Sequence, residues 1–215
     1  MGTLSLSELS WLPRPPADFR QQVRALADQA GDLGRPLRAL ASYALNENQS
    51  TSLAKAVGVA RAAGRSFAPL TPFRLGLLGN GTLDFMIPAL VASAARYGFL
   101  LECVKADYDQ VMQAAVSPSS TINTAGLNAG LIALDHHGLP LQCPFGDAEL
   151  AEETVERAVQ YIDAIRSGIR RHGNAISIVQ TLARPVEAQF GSLDRAIPGT
   201  PHYLVEYCCP GSAPS

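Results

Sequence analysis

The chain has almost no lysine. Of its 215 residues only Lys55 and Lys105 are lysines, so arginine carries nearly all the positive charge. Seventeen Lys plus Arg stand against nineteen Asp plus Glu, a formal net charge of -2. A balance so even offers no overall field to nucleic acid or to an anionic membrane surface, and neither is expected as a partner. Long apolar runs are also missing, and none approaches the ~18 residues of a membrane span. The start, Met1-Gly2-Thr3-Leu4-Ser5, lacks the basic stretch and apolar run of a secretory signal. Cysteine is scarce: Cys103, Cys143, Cys208 and Cys209 form no CxxC pair and have no histidine at ligand spacing. No metal site is therefore expected. Cys103 lies in the apolar run Leu100-Leu101-Glu102-Cys103-Val104 and reads as a small buried hydrophobe. This usage suits a reducing compartment, and a cytoplasmic location is the expectation.

With 47% hydrophobic and 17% charged residues, the chain has the material for a sizeable core. Residues 1–70 carry helical spacing only. Phe19, Val23, Leu26, Ala27 and Ala30 recur on one face after Pro13, Pro15 and Pro16, and Gly31 is placed to end that helix. A second helix is expected over Pro36–Leu45. Asn46 with Gln49 three residues on forms a capping box that opens a third, through Leu53, Val57 and Ala60 towards Gly64.

From Phe73 the pattern changes to short apolar runs alternating with helices. Leu75–Leu78, Phe99–Val104, Gly130–Leu134 and Ala175–Val179 read as strands. Between them lie a helix carrying Phe85, Ile87, Leu90, Val91 and Ala94, a short one over Val111–Ala115 capped by Asp107 and Gln110, and a long one from Asp147 to about His172. Pro88 falls in the first turn of its helix, where a missing donor costs little. This alternation predicts an α/β fold, a parallel flavodoxin-like sheet with helices on both faces, preceded by the helical segment. A loop over Gln180–Gly199 leads to a last helix from Thr200-Pro201 through Tyr203, Leu204 and Tyr207, and residues 208–215 read as an unstructured tail.

In such a sheet the ligand crevice lies beyond the carboxyl ends of the strands where their order reverses. For the order 2-1-3-4 that point falls between the first and third strands. The polar ends there are Gly79-Asn80-Gly81-Thr82 and Asp135-His136-His137, which makes Gly79, Asn80, Gly81, Thr82, Asp135 and His136 the candidate crevice. Backbone donors at a helix start there suit an anion or an oxyanion. The competing account is that Gly79 and Gly81 only form a turn while Asn80, Thr82 or Asp84 caps the helix. His136 and His137, as neighbours on an extended chain, point to opposite sides, so one of them is expected in the crevice. His202 has no visible partner.

Two motifs imitate known chemistry incompletely. Gly79-Asn80-Gly81-Thr82-Leu83-Asp84 half-matches GxGxxG, with a carboxylate in place of the third glycine, facing where a pyrophosphate belongs. Asp107-Tyr108-Asp109-Gln110-Val111 imitates an aspartyl-phosphate nucleophile motif, yet no lysine follows Lys105 to neutralise phosphate and no acidic pair follows a later strand.

Three stretches together resemble the N-terminal region of FkbH-like proteins of the HAD-IIIC class. They are Leu77–Asp84, then Ala106–Val111 with Ala133–His136, and finally Gln180-Thr181 with Phe190–Gly199. The segment Asn46–Leu53 fits the helical leader of that group, so the resemblance covers nearly all of the chain to about Tyr207. It implies an SGNH-hydrolase-like domain over residues 71–207, with a haloacid-dehalogenase-like (HAD) domain downstream in the parent. It also implies a place in polyketide-type biosynthesis, and an acyl carrier protein or a phosphorylated small molecule as partner. Magnesium is expected only in that HAD-like domain, and no cofactor in this chain. SGNH enzymes carry a nucleophilic Ser after the first strand; here the matching block is Gly79-Asn80-Gly81, with Gly81 at the nucleophile position. Their oxyanion Asn follows the third strand, where this chain has Asp135-His136, and their base His lies in a DxxH block not found here. No catalytic residue is therefore assigned. The expectation is a noncatalytic domain; the alternatives are an esterase or acyltransferase using Thr82 or His136, and a dinucleotide-binding domain.

Overall fold

A computed structural model describes residues 10–26 and 28–208. Ala27, the start Met1–Ser5 and the tail with Cys209 lie outside the described residues; Cys208 is the last residue of the final helix. The architecture is α/β. Four strands, β1 (Thr71–Gly79), β2 (Phe99–Lys105), β3 (Ala129–Ala133) and β4 (Ile176–Val179), form one all-parallel sheet in the order β2-β1-β3-β4 with helices packed around it. The expected order 2-1-3-4 is thus the observed one.

The chain divides into two compact units, one comprising residues up to Phe73 with Leu83–Glu102, the other Arg74–Thr82 with Cys103 onward. In the first, α1 (Phe19–Leu26), α2 (Gly34–Ala41), α3 (Glu47–Ala62) and α4 (Ile87–Arg96) pack around Phe19, Leu26, Leu33, Leu37 and Leu53, all buried. The capping box of α3 forms as the sequence predicts: Asn46 Oδ1 accepts from Gln49 N and Gln49 Oε1 from Asn46 N, each at 2.9 Å. The arginine-rich composition is used here. Arg96 Nε donates to Ala41 O at 2.8 Å, Arg38 Nε to Arg96 O at 3.1 Å, and Arg61 Nη2 to Leu101 O at 3.1 Å. A planar guanidinium with several fixed donors suits such backbone carbonyls better than an ammonium does.

Several expectations on this unit shift. Helix α2 begins two residues before Pro36 and ends at Ala41, because Pro36 takes a first-turn position and not the start. Helix α4 begins at Ile87, with Met86 at its N-cap and no side-chain cap. Residues 83–86 instead form turns, in which Met86 N donates to Leu83 O at 3.0 Å. Phe85 is therefore not helical and is exposed, and neither Thr82 nor Asp84 caps the helix. Pro88 does fall in the first turn.

The second unit is built on one apolar cluster in which Leu78, Ile122, Ile132, Ile165, Ile169 and Leu204 are almost wholly buried. Its helices are α5 (Val111–Val116), α6 (Thr121–Thr124), α7 (Ala148–Gly168) and α8 (Pro201–Cys208), and α7 packs against α5 and α8. The close approach of α7 to α5 depends on Gly168, where an added Cβ would lie 2.6 Å from Ala115 O. The long helix predicted to His172 stays α-helical only to Gly168 and finishes as one π-helical turn, Ile169–Gly173, before Asn174 turns left-handed at φ 51°. Asp107 and Gln110 do not cap α5 through their side chains. Asp109 adopts a left-handed conformation (φ 57°), which puts Gln110 at the N-cap, and Asp107 contributes only its carbonyl to Gln110 N. Helix α6, too short to show a period, is absent from the sequence reading.

Candidate functional site

Strand register creates the site. β1 and β3 pair in parallel with Gly79 opposite Ala133, so the chain leaves both strands at the same level and carries Asn80 and Asp135 past the sheet side by side. Asn80 Nδ2 donates to Asp135 Oδ1 at 2.6 Å, and Asp135 N donates back to Asn80 Oδ1 at 3.1 Å. The predicted crevice residues Asn80 and Asp135 are thus brought together and joined by two hydrogen bonds. Gly138 is pressed against this pair: a Cβ there would lie 2.7 Å from Asn80 Cγ. Gly81 and Thr82 are not buried, and an added Cβ at Gly81 would meet nothing within 4 Å. The expected helix start at this turn is not found, since α4 begins five residues after Thr82. The anion seat inferred from helix-end donors therefore loses its physical basis.

Asp135 also organises the turn that comes after it. It is the N-cap of a single 3-10 turn, His136–Gly138, and its Oδ1 accepts from His137 N at 2.8 Å and Gly138 N at 3.2 Å. Partial burial favours the neutral carboxyl, but the hydrogen bonds from Asn80, His137 and Gly138 outweigh it and hold Asp135 below the usual carboxylate range. The backbone here is a tight turn and not an extended strand. Successive side chains therefore do not alternate, and the prediction that only one histidine faces inward is corrected: the rings of His136 and His137 lie 3.9 Å apart and both line one cavity.

That cavity, about 440 Å³, is bounded by the 136–142 loop, the 185–189 loop and the first turns of α8. Leu139, Leu141 and Val205 give it a buried apolar floor, and Gln142, Glu187 and Gln189 are polar members of its lining. Burial and the neighbouring His137 push the His136 imidazole below its ordinary pKa, against the opposing pull of Asp135 and Glu187. His202, in the first turn of α8, adds to that depression and has a buried Nε2 without a hydrogen-bond partner. The wall is fastened from behind by Asp194, 2% exposed, whose carboxylate accepts from Gln189 N at 2.9 Å and Phe190 N at 2.5 Å. Thr200 Oγ1 donates to the Asp194 carbonyl and accepts from Tyr203 N at 3.3 Å, so the same loop is tied to the start of α8. Glu187, Gln189 and Val205 are not found by sequence reasoning, and Asp194 enters it only within the stretch Phe190–Gly199 that carries the family resemblance. For Glu187 and Gln189 the signal was that Gln180–Gly199 is a long loop, and long loops in compact domains tend to carry function.

The Asp107 region borders a smaller polar cavity of about 220 Å³, with Lys105, Gln110, Ser117 and Ser120 among its lining. Among the described residues, no group of three or more His, Cys, Asp or Glu side chains is placed to hold a metal ion, and no helix is long and apolar enough to cross a membrane.

No family model matches the chain, and no curated protein matches it. Among solved structures it is similar to the N-terminal part of the protein BF1531 from Bacteroides fragilis, which contains a phosphatase domain and is complexed with Mg. The TM-score is 0.56 at 15% identity over 69% of this chain. The likeness establishes the fold. The chain spans 38% of that structure's length.

Proposed function

We propose that this chain is the noncatalytic, SGNH-like N-terminal region of an FkbH-like HAD-IIIC protein of polyketide-type biosynthesis, serving as a binding domain. The observation that carries the noncatalytic reading is the environment of Gly81. At the position of the SGNH nucleophile stands a residue without a side chain, and its neighbour Asn80 is locked to Asp135. Thr82 is exposed to solvent at the strand end, and none of its described hydrogen bonds reaches a histidine. A hydroxyl without a base is a poor nucleophile at neutral pH. The fold likeness to the N-terminal part of a protein containing a phosphatase domain supports this placement, and in the parent a HAD-like domain would carry the phosphoryl chemistry and its magnesium. An acyl carrier protein or a phosphorylated small molecule is the partner that the family resemblance implies.

The test is turnover of short-chain aryl esters by the wild type, Thr82→Ala and Gly81→Ser. All three should remain at the background rate, with Gly81→Ser folding normally because its added side chain meets open space. Enzyme-like acceleration, on the order of 10⁶-fold, that disappears in Thr82→Ala would overturn the reading in favour of an esterase or acyltransferase.

A further inference from the structure

Residues 186–193 are exposed throughout, yet their backbone is fastened in one shape and they carry large apolar side chains. Phe190 and Leu193 are exposed, and Val186 almost completely so, at 98%. The buried Asp194 carboxylate accepts from Gln189 N and Phe190 N, and Leu193 N donates to Phe190 O at 3.3 Å. Gly191 takes a left-handed φ of 60° between them, which a glycine adopts without strain. A second loop adds the exposed Phe145, whose ring meets that of Phe190 edge to face at 5.4 Å. Gly146 N donates to Pro198 O at 2.9 Å, so the two loops are tied to each other. Folding alone gains little from fixing apolar side chains in water. Touching aromatic side chains that are exposed and held in place mark a surface that meets a partner, since much of the ordering entropy is lost before binding.

Charge decides which partner. Residues 142–156 and 184–195 together hold seven carboxylates and two arginines, whereas the whole chain is only -2. Asp147 and Glu149 follow Phe145 within four residues, both exposed, and Glu187 lies beside Val186. Asp147 caps α7 by accepting from Leu150 N at 3.0 Å, but its charge remains. The two arginines, Arg184 and Arg195, each lie 4.0 Å from the Glu206 carboxylate of α8, which already offsets part of their charge. A second copy docked face to face would set these carboxylates against their own counterparts, and an anionic lipid surface would be repelled in the same way.

We propose that Phe145, Phe190 and Leu193 form a docking face for a segment of another protein that carries large apolar side chains flanked by Lys or Arg. The apolar side chains of that segment cover the two rings and Leu193, and its cations face Asp147, Glu149 and Glu187. The face is independent of what Gly81 or Thr82 does.

The experiment titrates the full chain with a helical peptide of leucine and lysine that has one apolar face, following backbone amide shifts. Its controls are a leucine and glutamate peptide of the same pattern and a scrambled leucine and lysine peptide. The patterned lysine peptide should move the amides of residues 145–149 and 186–193 and bind about tenfold or more tightly than either control. Phe190→Ser and Leu193→Ser should each weaken it by about tenfold, the size of a central apolar contact. Glu149→Gln should weaken it by roughly two- to fivefold, and added salt should weaken it further. Tyr97→Ser, which removes an exposed aromatic ring in the other unit, should leave the affinity unchanged. Amide spectra away from the face check that each variant is folded. The proposal is overturned if the lysine peptide moves none of these amides, if either control peptide binds as tightly, or if Tyr97→Ser weakens binding as much as Phe190→Ser and Leu193→Ser do. It is equally overturned by a dimer of the chain, or by binding to phosphatidylserine vesicles, that Phe190→Ser and Leu193→Ser abolish, since the occupant would then be a second copy or a lipid surface.

Discussion

Asn80 and Asp135, fifty-five residues apart, exchange two hydrogen bonds, one from each direction, across the carboxyl ends of β1 and β3. The clasp joins the two strand ends at the crossover point of the sheet and, through Asp135, sets the turn that presents both histidines. Asn80→Ala should therefore raise the Asp135 pKa towards its ordinary value, because one of the bonds stabilising the carboxylate is lost. Carboxyl carbon shifts against pH would show it. As the native value is depressed, the stabilisation is present above the unfolded value of 3.8 and is lost as pH falls through the native one. Asp135 is largely exposed, so the total is small, about 1 kcal/mol or less. An unshifted titration would mean that the clasp contributes nothing to Asp135.

His136 should titrate below 6.5 in the native chain, burial and then His137 being the causes. The sign is the reverse of a stabilising ion pair. Above 6.5 the group is neutral folded or unfolded; as pH falls below 6.5 the unfolded chain takes up the proton first, and native stability declines until the native value is passed. His136→Gln should flatten this part of the acid branch of the stability curve, and Glu187→Gln should lower the His136 midpoint further by removing a favourable charge. Imidazole proton shifts followed through titration measure the midpoint, and denaturation at a series of pH values measures the branch.

Gly199 has φ 86°, and an added Cβ would lie 2.3 Å from Pro144 O and 3.0 Å from Cys143 Sγ. Gly199→Ala combines a left-handed penalty with a backbone collision, and should cost about 2 kcal/mol or more of unfolding free energy. Because Gly146 N also donates to Pro198 O, the damage should extend to the loop holding Asp194. Chemical denaturation checks this; a loss below about 0.5 kcal/mol, within the range of ordinary surface changes, would show that the loop shifts freely.

The sheet and its strand order were legible in the sequence, and the residues show why. Apolar runs such as Gly130–Leu134 leave little choice but a buried parallel strand, and four of them with intervening helices point to one crossover. Asn46 and Gln49 revealed a helix start because capping is local in sequence. The misread positions are those whose conformation is set by distant partners or by an unforeseen turn. Asn80 could cap a helix or bind Asp135, and only the Gly79–Ala133 register decides between them. His136 and His137 were assigned opposite directions on the assumption of extended backbone, which the Asp135 cap replaces with a turn. The far wall of the cavity comes from a loop without periodicity, held by the buried Asp194, and no pattern in Pro185–Gln189 announces that it will line a cavity with residues some fifty positions earlier.

β4 lies at the end of the sheet order, with Ile176, Ile178 and Val179 exposed at 59%, 46% and 40%. No charge or proline interrupts residues 174–183, so the usual guards of an edge strand are absent. The chain should self-associate at high concentration through this edge, and Ile178→Lys should reduce light scattering without lowering the thermal midpoint. Equal scattering from both proteins would place association elsewhere.

Whether any hydroxyl at the carboxyl end of β1 acts as a nucleophile is decided most directly by covalent trapping. Excess fluorophosphonate should leave the intact mass of the chain unchanged, because Gly81 offers no nucleophile and Thr82 no activated one. A single stoichiometric adduct mapped to Thr82, and absent in Thr82→Ala, would overturn the noncatalytic reading and identify the chain as a working hydrolase.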